Sequence, residues 1–413
     1  MLYGWIWFIA ALIGSHGFVI DSRRNHRPRR DNAYLAATSL DATLERGPDD
    51  DVEGCPQTKI WDRRDMAQVE ETQYLYLKRR LSLSDETMEK LVARFPTALR
   101  LRCQETVERK FEYLEKRLSL RKSELSKMIQ LWPNIIGLSI EYQIRPKFAY
   151  LQERLSLSEK QLSKIIQPFP SVLSYSIDDN IEQKLRYLQE RLSLSDKELS
   201  KMVQSFPSIL GYSIEENIDR KFNYLQKRLF FDDEELKKVV LRLPALLGLS
   251  IEGNMDPKLD YVQKRLSLDE NDLKKVVMRF PQIFTLGVEG TLEPKLKYLQ
   301  ERLSVDEEEL SYMIRRMPAL FGYKIDLNLE PTIKFYEDLV GVETTKKLIL
   351  GRPALVTYSL EKRLKPRLDD ARNAGITIDS ATLIRMGVLT NEAWAASLAY
   401  QIKQLLKSSG GLW

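Results

Sequence analysis

Six lysines stand at a constant step of 37 residues: Lys90, Lys127, Lys164, Lys201, Lys238 and Lys275. Four residues beyond this rung, an arginine joins in four of the units, at Arg94, Arg242, Arg279 and Arg316. Evenly spaced, flexible cations are what a polyanion calls for, since each can neutralise one phosphate and release its counterion whatever the base sequence. A second basic set keeps the same step, at Lys110, Lys147, Lys184, Lys221, Lys258 and Lys295. Each of its lysines is followed seven residues later by the arginine of an Arg-Leu pair. A third, denser group lies towards the C-terminus, where Arg352, Lys362, Arg363, Lys365 and Arg367 fall close together. The first ladder, its three later arginines and the C-terminal group are the candidate phosphate-binding residues. The other reading of the first ladder is an ordinary solvated helix face; the second lies beside the Leu stripe, where snorkelling or salt bridges to the next unit suit it as well as phosphate.

Other chemistry is excluded by what the chain lacks. Its 413 residues include two histidines, His16 and His26, and two cysteines, Cys55 and Cys103. A Cys/His zinc site, a Ser-His-Asp triad and a Cys-His dyad have no place beyond residue 26. Two cysteines cannot build a disulfide framework, which fits a reducing interior. Neither a GxxxxGK[ST] nor a GxGxxG string occurs, so the usual phosphate-cradling loops are absent. Carboxylates are plentiful, but they recur with the period, as caps and surface pairs do. No catalytic residue, metal or cofactor is expected. The charge, 64 Lys+Arg against 59 Asp+Glu for a net +5, is only mildly basic.

The elements that must position these cations follow from the same period. Prolines stand at Pro96, Pro133, Pro170, Pro207, Pro244, Pro281 and Pro318, each 37 residues after the last, and Pro353 follows after 35. Tyrosines at Tyr76, Tyr113, Tyr150, Tyr187, Tyr224, Tyr261 and Tyr298 keep the step as well. In one unit, residues 214–250, Phe222, Leu225 and Leu229 fall on one helical face, and the run breaks at Phe230–Asp232. Asp232 with Glu235 has capping-box spacing, as has Ser195 with Glu198 one unit earlier. Leu236, Val239, Val240 and Leu243 give a second amphipathic helix, which Pro244 ends because it lacks a backbone donor. A short apolar turn, PALLG, leads on. Each unit is thus helix–turn–helix plus a third short turn. One unit cannot cover its own apolar face, so the units must stack. The expectation is an all-α, superhelical solenoid of about eight 37-residue repeats, its handedness open, over residues 59–413. On such a stack the tyrosines either pack between adjacent helices or stack on unpaired bases.

The string LRLPALLGLSIEGNMDPKLDYVQKRL resembles the repeat of the mitochondrial transcription termination factor (mTERF) family, with Leu before a proline, Leu after it, and a second proline about thirteen residues on. That second proline is present as Pro146, Pro257, Pro294, Pro331 and Pro366 and is replaced by Arg109, Gln183 and Arg220 elsewhere. Residues 352–376 are similar to the family's C-terminal unit, and the resemblance runs from about residue 75 to 400. It implies a half-ring of helices and an organellar, non-enzymatic regulator that clamps DNA or RNA in a basic groove. Transcription termination or initiation, RNA splicing, ribosomal RNA maturation and ribosome assembly are the roles it implies. A protein partner such as an RNA methyltransferase also fits. The rival reading is a protein-binding scaffold whose charges serve solubility.

Residues 1–20 are almost wholly apolar and are followed by DSRRNHRPRR, with five arginines. Small residues Gly14, Ser15 and Gly17 close the apolar run, as in a cleavable signal. Residues 1–30 therefore read as a targeting segment. A bipartite plastid address is the first reading, with a mitochondrial presequence and a signal anchor as rivals. Residues 31–58, acidic and holding Gly47, Pro48 and Gly54, read as a linker. With the segment removed, a monomer without lasting membrane contact is expected.

Overall fold

The computed structural model describes residues 63–100 and 104–408. The targeting segment, the linker, both histidines and both cysteines lie outside the described residues. Within them the chain is helical throughout, with no strand.

The α-helices come in pairs. The first two pairs are α1 (Arg63–Arg80) with α2 (Asp85–Arg94), and α3 (Gln104–Leu118) with α4 (Lys122–Leu131). Next come α5 (Arg145–Arg154) with α6 (Glu159–Ile166), and α7 (Gln183–Arg191) with α8 (Asp196–Ser205). Then follow α9 (Arg220–Leu229) with α10 (Asp233–Arg242), and α11 (Asp256–Arg265) with α12 (Glu270–Arg279). The last proline-bearing pairs are α13 (Glu293–Leu303) with α14 (Glu307–Arg316), and α15 (Glu330–Val340) with α16 (Val342–Gly351). A ninth pair, α17 (Lys365–Asn373) with α18 (Ser380–Val388), leads into a single long helix, α19 (Asn391–Ser408). Eight pairs therefore end on a proline, and these are the repeats of the solenoid.

Local chemistry sets each break. The odd-numbered helix ends in one residue with left-handed backbone, Ser82, Ser119, Ser156, Ser193, Phe230, Ser267 or Ser304, with φ of 46–52°. In the first unit the Leu83 N–H then donates back to the Lys78 carbonyl at 2.9 Å, and Leu120, Leu157, Leu194, Leu268 and Val305 do the same. The next helix begins on a side-chain cap: Ser195 with Glu198, Asp232 with Glu235, and Asp306 with Glu309 form reciprocal capping boxes. Leu243 is the C-cap of α10, one residue outside the helix, and Pro244 opens a tight turn of 3₁₀ type, Pro244–Gly248. A wider turn with i→i+5 hydrogen bonds follows and runs straight into the next odd-numbered helix; the Met255 N–H, for example, donates to the Ser250 carbonyl at 3.0 Å. In the ninth pair Thr390 stands where proline would be, and the chain winds on as α19.

Stacking then buries the stripes. Phe222, Leu225, Leu229, Leu236, Val239 and Val240 are each fully enclosed, and full burial of such a side chain stabilises by about 1.5–3 kcal/mol. One hydrophobic cluster runs from Leu77 to Val356. A second, built around Tyr336, Leu364, Leu368, Leu383 and Trp394, holds the ninth pair.

Polar side chains lock neighbouring units at the period. All seven Arg-Leu arginines reach the following unit. Arg80 bonds Glu108 and Glu115, Arg191 bonds Gln226 and Asp233, and Arg302 bonds Glu330 and Glu337. Tyr76, Tyr150, Tyr187, Tyr224, Tyr261 and Tyr298 each donate a hydroxyl to an acidic residue 32 positions on; for Tyr187 that residue is Asp219, at 2.7 Å. Tyr113 meets Arg145 at that position instead, with the guanidinium 5.9 Å from its ring centroid. The tyrosines are therefore packing residues.

Candidate nucleic-acid interface

The even-numbered helices carry the first ladder. From the second unit on, the residue just before the ladder position faces inward: Ser126, Ser163, Ser200, Lys237, Lys274, Ser311 and Lys346 each donate to a backbone carbonyl at the end of the preceding unit's odd-numbered helix. For Ser200 to Leu155 the distance is 2.7 Å. One residue further turns the helix by about 100° and brings the ladder side chain to solvent. Lys90, Lys127, Lys164, Lys201, Lys238 and Lys275 are all exposed. Lys90 pairs with Glu86 and Lys275 with Asp272, both on their own helices. Lys201 and Lys238 make no ion pair among the described residues.

Three further cations belong to this face. Lys160 and Lys197 are exposed four residues before Lys164 and Lys201, so α6 and α8 each present an i, i+4 lysine pair. Lys347 on α16 continues the ladder after the shortened step. The sequence reading sought only what recurs in every unit and passed over these three, although the i, i+4 spacing was there to be read. The counterpart of Lys160 and Lys197 is acidic in other units: Glu234 on α10, Glu308 on α14 and Glu343 on α16. The ladder lysine is thus doubled on α6 and α8.

The arginines behave differently. Arg94, Arg242 and Arg279 extend to the last carbonyls of the next even-numbered helix: Arg242 to Met278 at 2.7 Å and Arg279 to Arg315 at 2.9 Å. Cations at helix C-termini are favourable there. Arg316 lies over the Tyr312 ring, 5.4 Å from its centroid, and bonds its hydroxyl at 3.0 Å.

The second ladder is internal. Lys110, Lys147, Lys184, Lys221, Lys258 and Lys295 each donate an amine hydrogen to a carbonyl 26 residues on, in the next tight turn. Lys184 reaches Leu210 at 2.8 Å. Asn180, Asn217 and Asn254 accept a second bond from Lys184, Lys221 and Lys258. Burial pushes the Lys147, Lys184 and Lys295 amines down, and those of Lys221 and Lys258 to about 8. These lysines have no reach towards a phosphate.

Arg367 requires a correction for the same reason. It stands in the register of this internal ladder, is 4% exposed, and donates to the carbonyls of Met386 and Leu389 and to the Asn391 side chain. The C-terminal group is dispersed. Arg363 is half-buried against Tyr358 and the Gly387 carbonyl, Lys365 pairs with Glu361, and Lys362 is exposed. Arg352 is exposed and lines a recess with Arg316, Met317 and Tyr358.

A family model described as mTERF matches three overlapping stretches, residues 64–192, 116–230 and 226–395. No curated protein matches the chain.

Proposed function

Because the chain belongs to the mTERF family, we propose that it is an organellar nucleic-acid-binding regulator of gene expression, with the exposed lysine ladder of the even-numbered helices as its phosphate-binding face. The observation that carries this is the ladder's spacing, one exposed lysine in seven of the eight repeats, doubled to lysine pairs on α6 and α8. Mobile ammonium groups neutralise phosphates without reading bases. The protein would act by occupancy, clamping DNA or structured RNA to halt or recruit other machinery, in termination, splicing or ribosomal RNA maturation. The reading of residues 1–30 directs it to a plastid, with the mitochondrion as the alternative destination.

The test is a fluorescence-anisotropy titration of the protein into duplex DNA, single-stranded RNA and structured RNA at several salt concentrations. Six phosphate contacts, four of them from the lysine pairs on α6 and α8, give a log–log salt slope of about −5 on duplex DNA and about −4 on single strands. Replacing Lys160, Lys164, Lys197 and Lys201 by glutamine should flatten the slope by about 3 to 4. An unchanged slope removes the ladder from the interface. Absence of binding to every class at low salt favours the scaffold reading and a protein partner.

A further inference from the structure

Two interruptions of the repeat meet at one place. In the ladder register the seventh unit has Tyr312 instead of lysine, 39% exposed, with the Arg316 guanidinium stacked over its ring. One unit later, the residue before the proline is Arg352. In the seven preceding units that position holds Phe, Trp, Leu or Met. Where it is Phe, the ring tip packs on a glycine of the next unit's tight turn, as Phe280 does on Gly322. After α18 there is no proline and no such turn, since the chain continues as α19. Arg352 is left exposed, with no side-chain ion pair among the described residues.

Between these interruptions lies a recess of about 240 Å³ whose walls include Arg316, Met317, Arg352, Pro353, Tyr358 and Val388. It is smaller than the roughly 300–1,000 Å³ of sites for drug-sized ligands, which suits one ring system. Its apolar floor and two guanidiniums match a flat base joined to a phosphate. Departures from an otherwise strict local pattern are where function is expected.

We infer that this recess seats one unpaired nucleotide of the bound nucleic acid, its base against the Met317, Pro353 and Val388 surface and its phosphate held by Arg316 and Arg352. The inference rests on the nucleic-acid reading above and names a structural feature of the target, a base outside the helical stack.

The test compares the full chain with its Arg352→Phe and Arg316→Ala variants on matched probes: a fully paired duplex and the same duplex with one unpaired nucleotide, each as DNA and as RNA. Arg352→Phe restores the residue found at that position in four other units. The wild-type protein should bind the bulged probe roughly tenfold more tightly than the paired one, in line with the stacking of a single base. Each variant should abolish that preference, losing more affinity for the bulged probe than for the paired one. Equal affinity of the wild type for both probes overturns the inference while leaving the ladder reading intact, and so does a variant that weakens both probes equally. If the wild type binds no probe, the ladder reading falls and this inference falls with it.

Discussion

At the scale of single residues, each unit passes a side chain to the next. Phe95, Phe169, Phe206 and Phe280 precede a proline, and each meets a glycine at the end of the following tight turn. A Cβ on Gly211 would lie 2.8 Å from the Phe169 ring and 3.2 Å from the Tyr175 hydroxyl. Where the earlier residue is Leu243 or Met317, the later position in the sequence is Thr285 or Thr357. Apart from Trp132, whose counterpart is Ser174, size on one side therefore trades against size on the other. Gly211→Thr should destabilise by about 1–3 kcal/mol through overpacking. Adding Phe169→Leu should recover part of that loss, a favourable coupling that a double-mutant cycle by chemical denaturation would read. Additive losses would mean that the two positions do not share space. The same residues show the limit of sequence reading. Periodicity made both lysine ladders visible and could not by itself separate an inner row from an outer one. What separates Lys221 from Lys238 is a carbonyl at Leu247, 26 residues away and in the next unit. A partner that exists only after stacking leaves no mark in the spacing of either residue. The same holds for Arg367, which reads as one member of a C-terminal basic group and is buried under α18 and the start of α19.

At the scale of elements, the helix stripes, the capping boxes and the proline stop were legible, because each depends on residues within one turn of one another. The break between the paired helices was visible as well, but not its backbone. Serine fills the left-handed position six times, although glycine is the residue that adopts it without steric cost. Phe230 is the exception, with φ 51° and a side chain 59% exposed, so it gains little from packing to offset its conformation. Its carbonyl is the part in use, accepting from Lys274 at 2.9 Å. Phe230→Gly keeps that carbonyl and removes the Cβ clash, which costs roughly 1–2 kcal/mol. The variant should melt higher than the wild type, while Phe230→Val, branched at Cβ, should melt lower. The wide i→i+5 turns were not legible. They span six residues where the second proline is absent, at Ile177–Glu182 and Ile214–Asp219, and five where it is present, as at Ile251–Met255. The proline thus trims the turn by withholding a donor, whereas the sequence reading used it only as a mark of resemblance.

At the scale of the whole molecule, repetition turns a small local property into a collective one. Stability in a stacked array is close to a sum over units and their interfaces, so a shifted titration present in every unit acts with one sign along the chain. Two such titrations oppose each other. Lys147, Lys184, Lys221, Lys258 and Lys295 have folded pKa values below the ordinary lysine value, about 8 for Lys221 and Lys258. From there to about 10.4 the unfolded chain holds protons that the folded chain has released, so stability rises with pH across that window. Tyr76, Tyr150, Tyr187, Tyr224, Tyr261 and Tyr298 are shifted upward, first by burial and then by the carboxylates that accept their hydroxyls. Above about 10 the unfolded chain ionises its tyrosines while the folded chain does not, so stability falls as pH rises further. The melting temperature should therefore climb from pH 7.5 to about pH 10 and then drop. Lys221→Met and Lys258→Met together should flatten the climb and leave the drop in place, because the methionines keep the length of the side chain without its titration. Thermal melts followed by far-ultraviolet circular dichroism at half-unit pH steps would trace both limbs. A melting temperature that declined steadily from pH 7.5 would contradict the reading of these lysines as amines whose pKa values burial lowers.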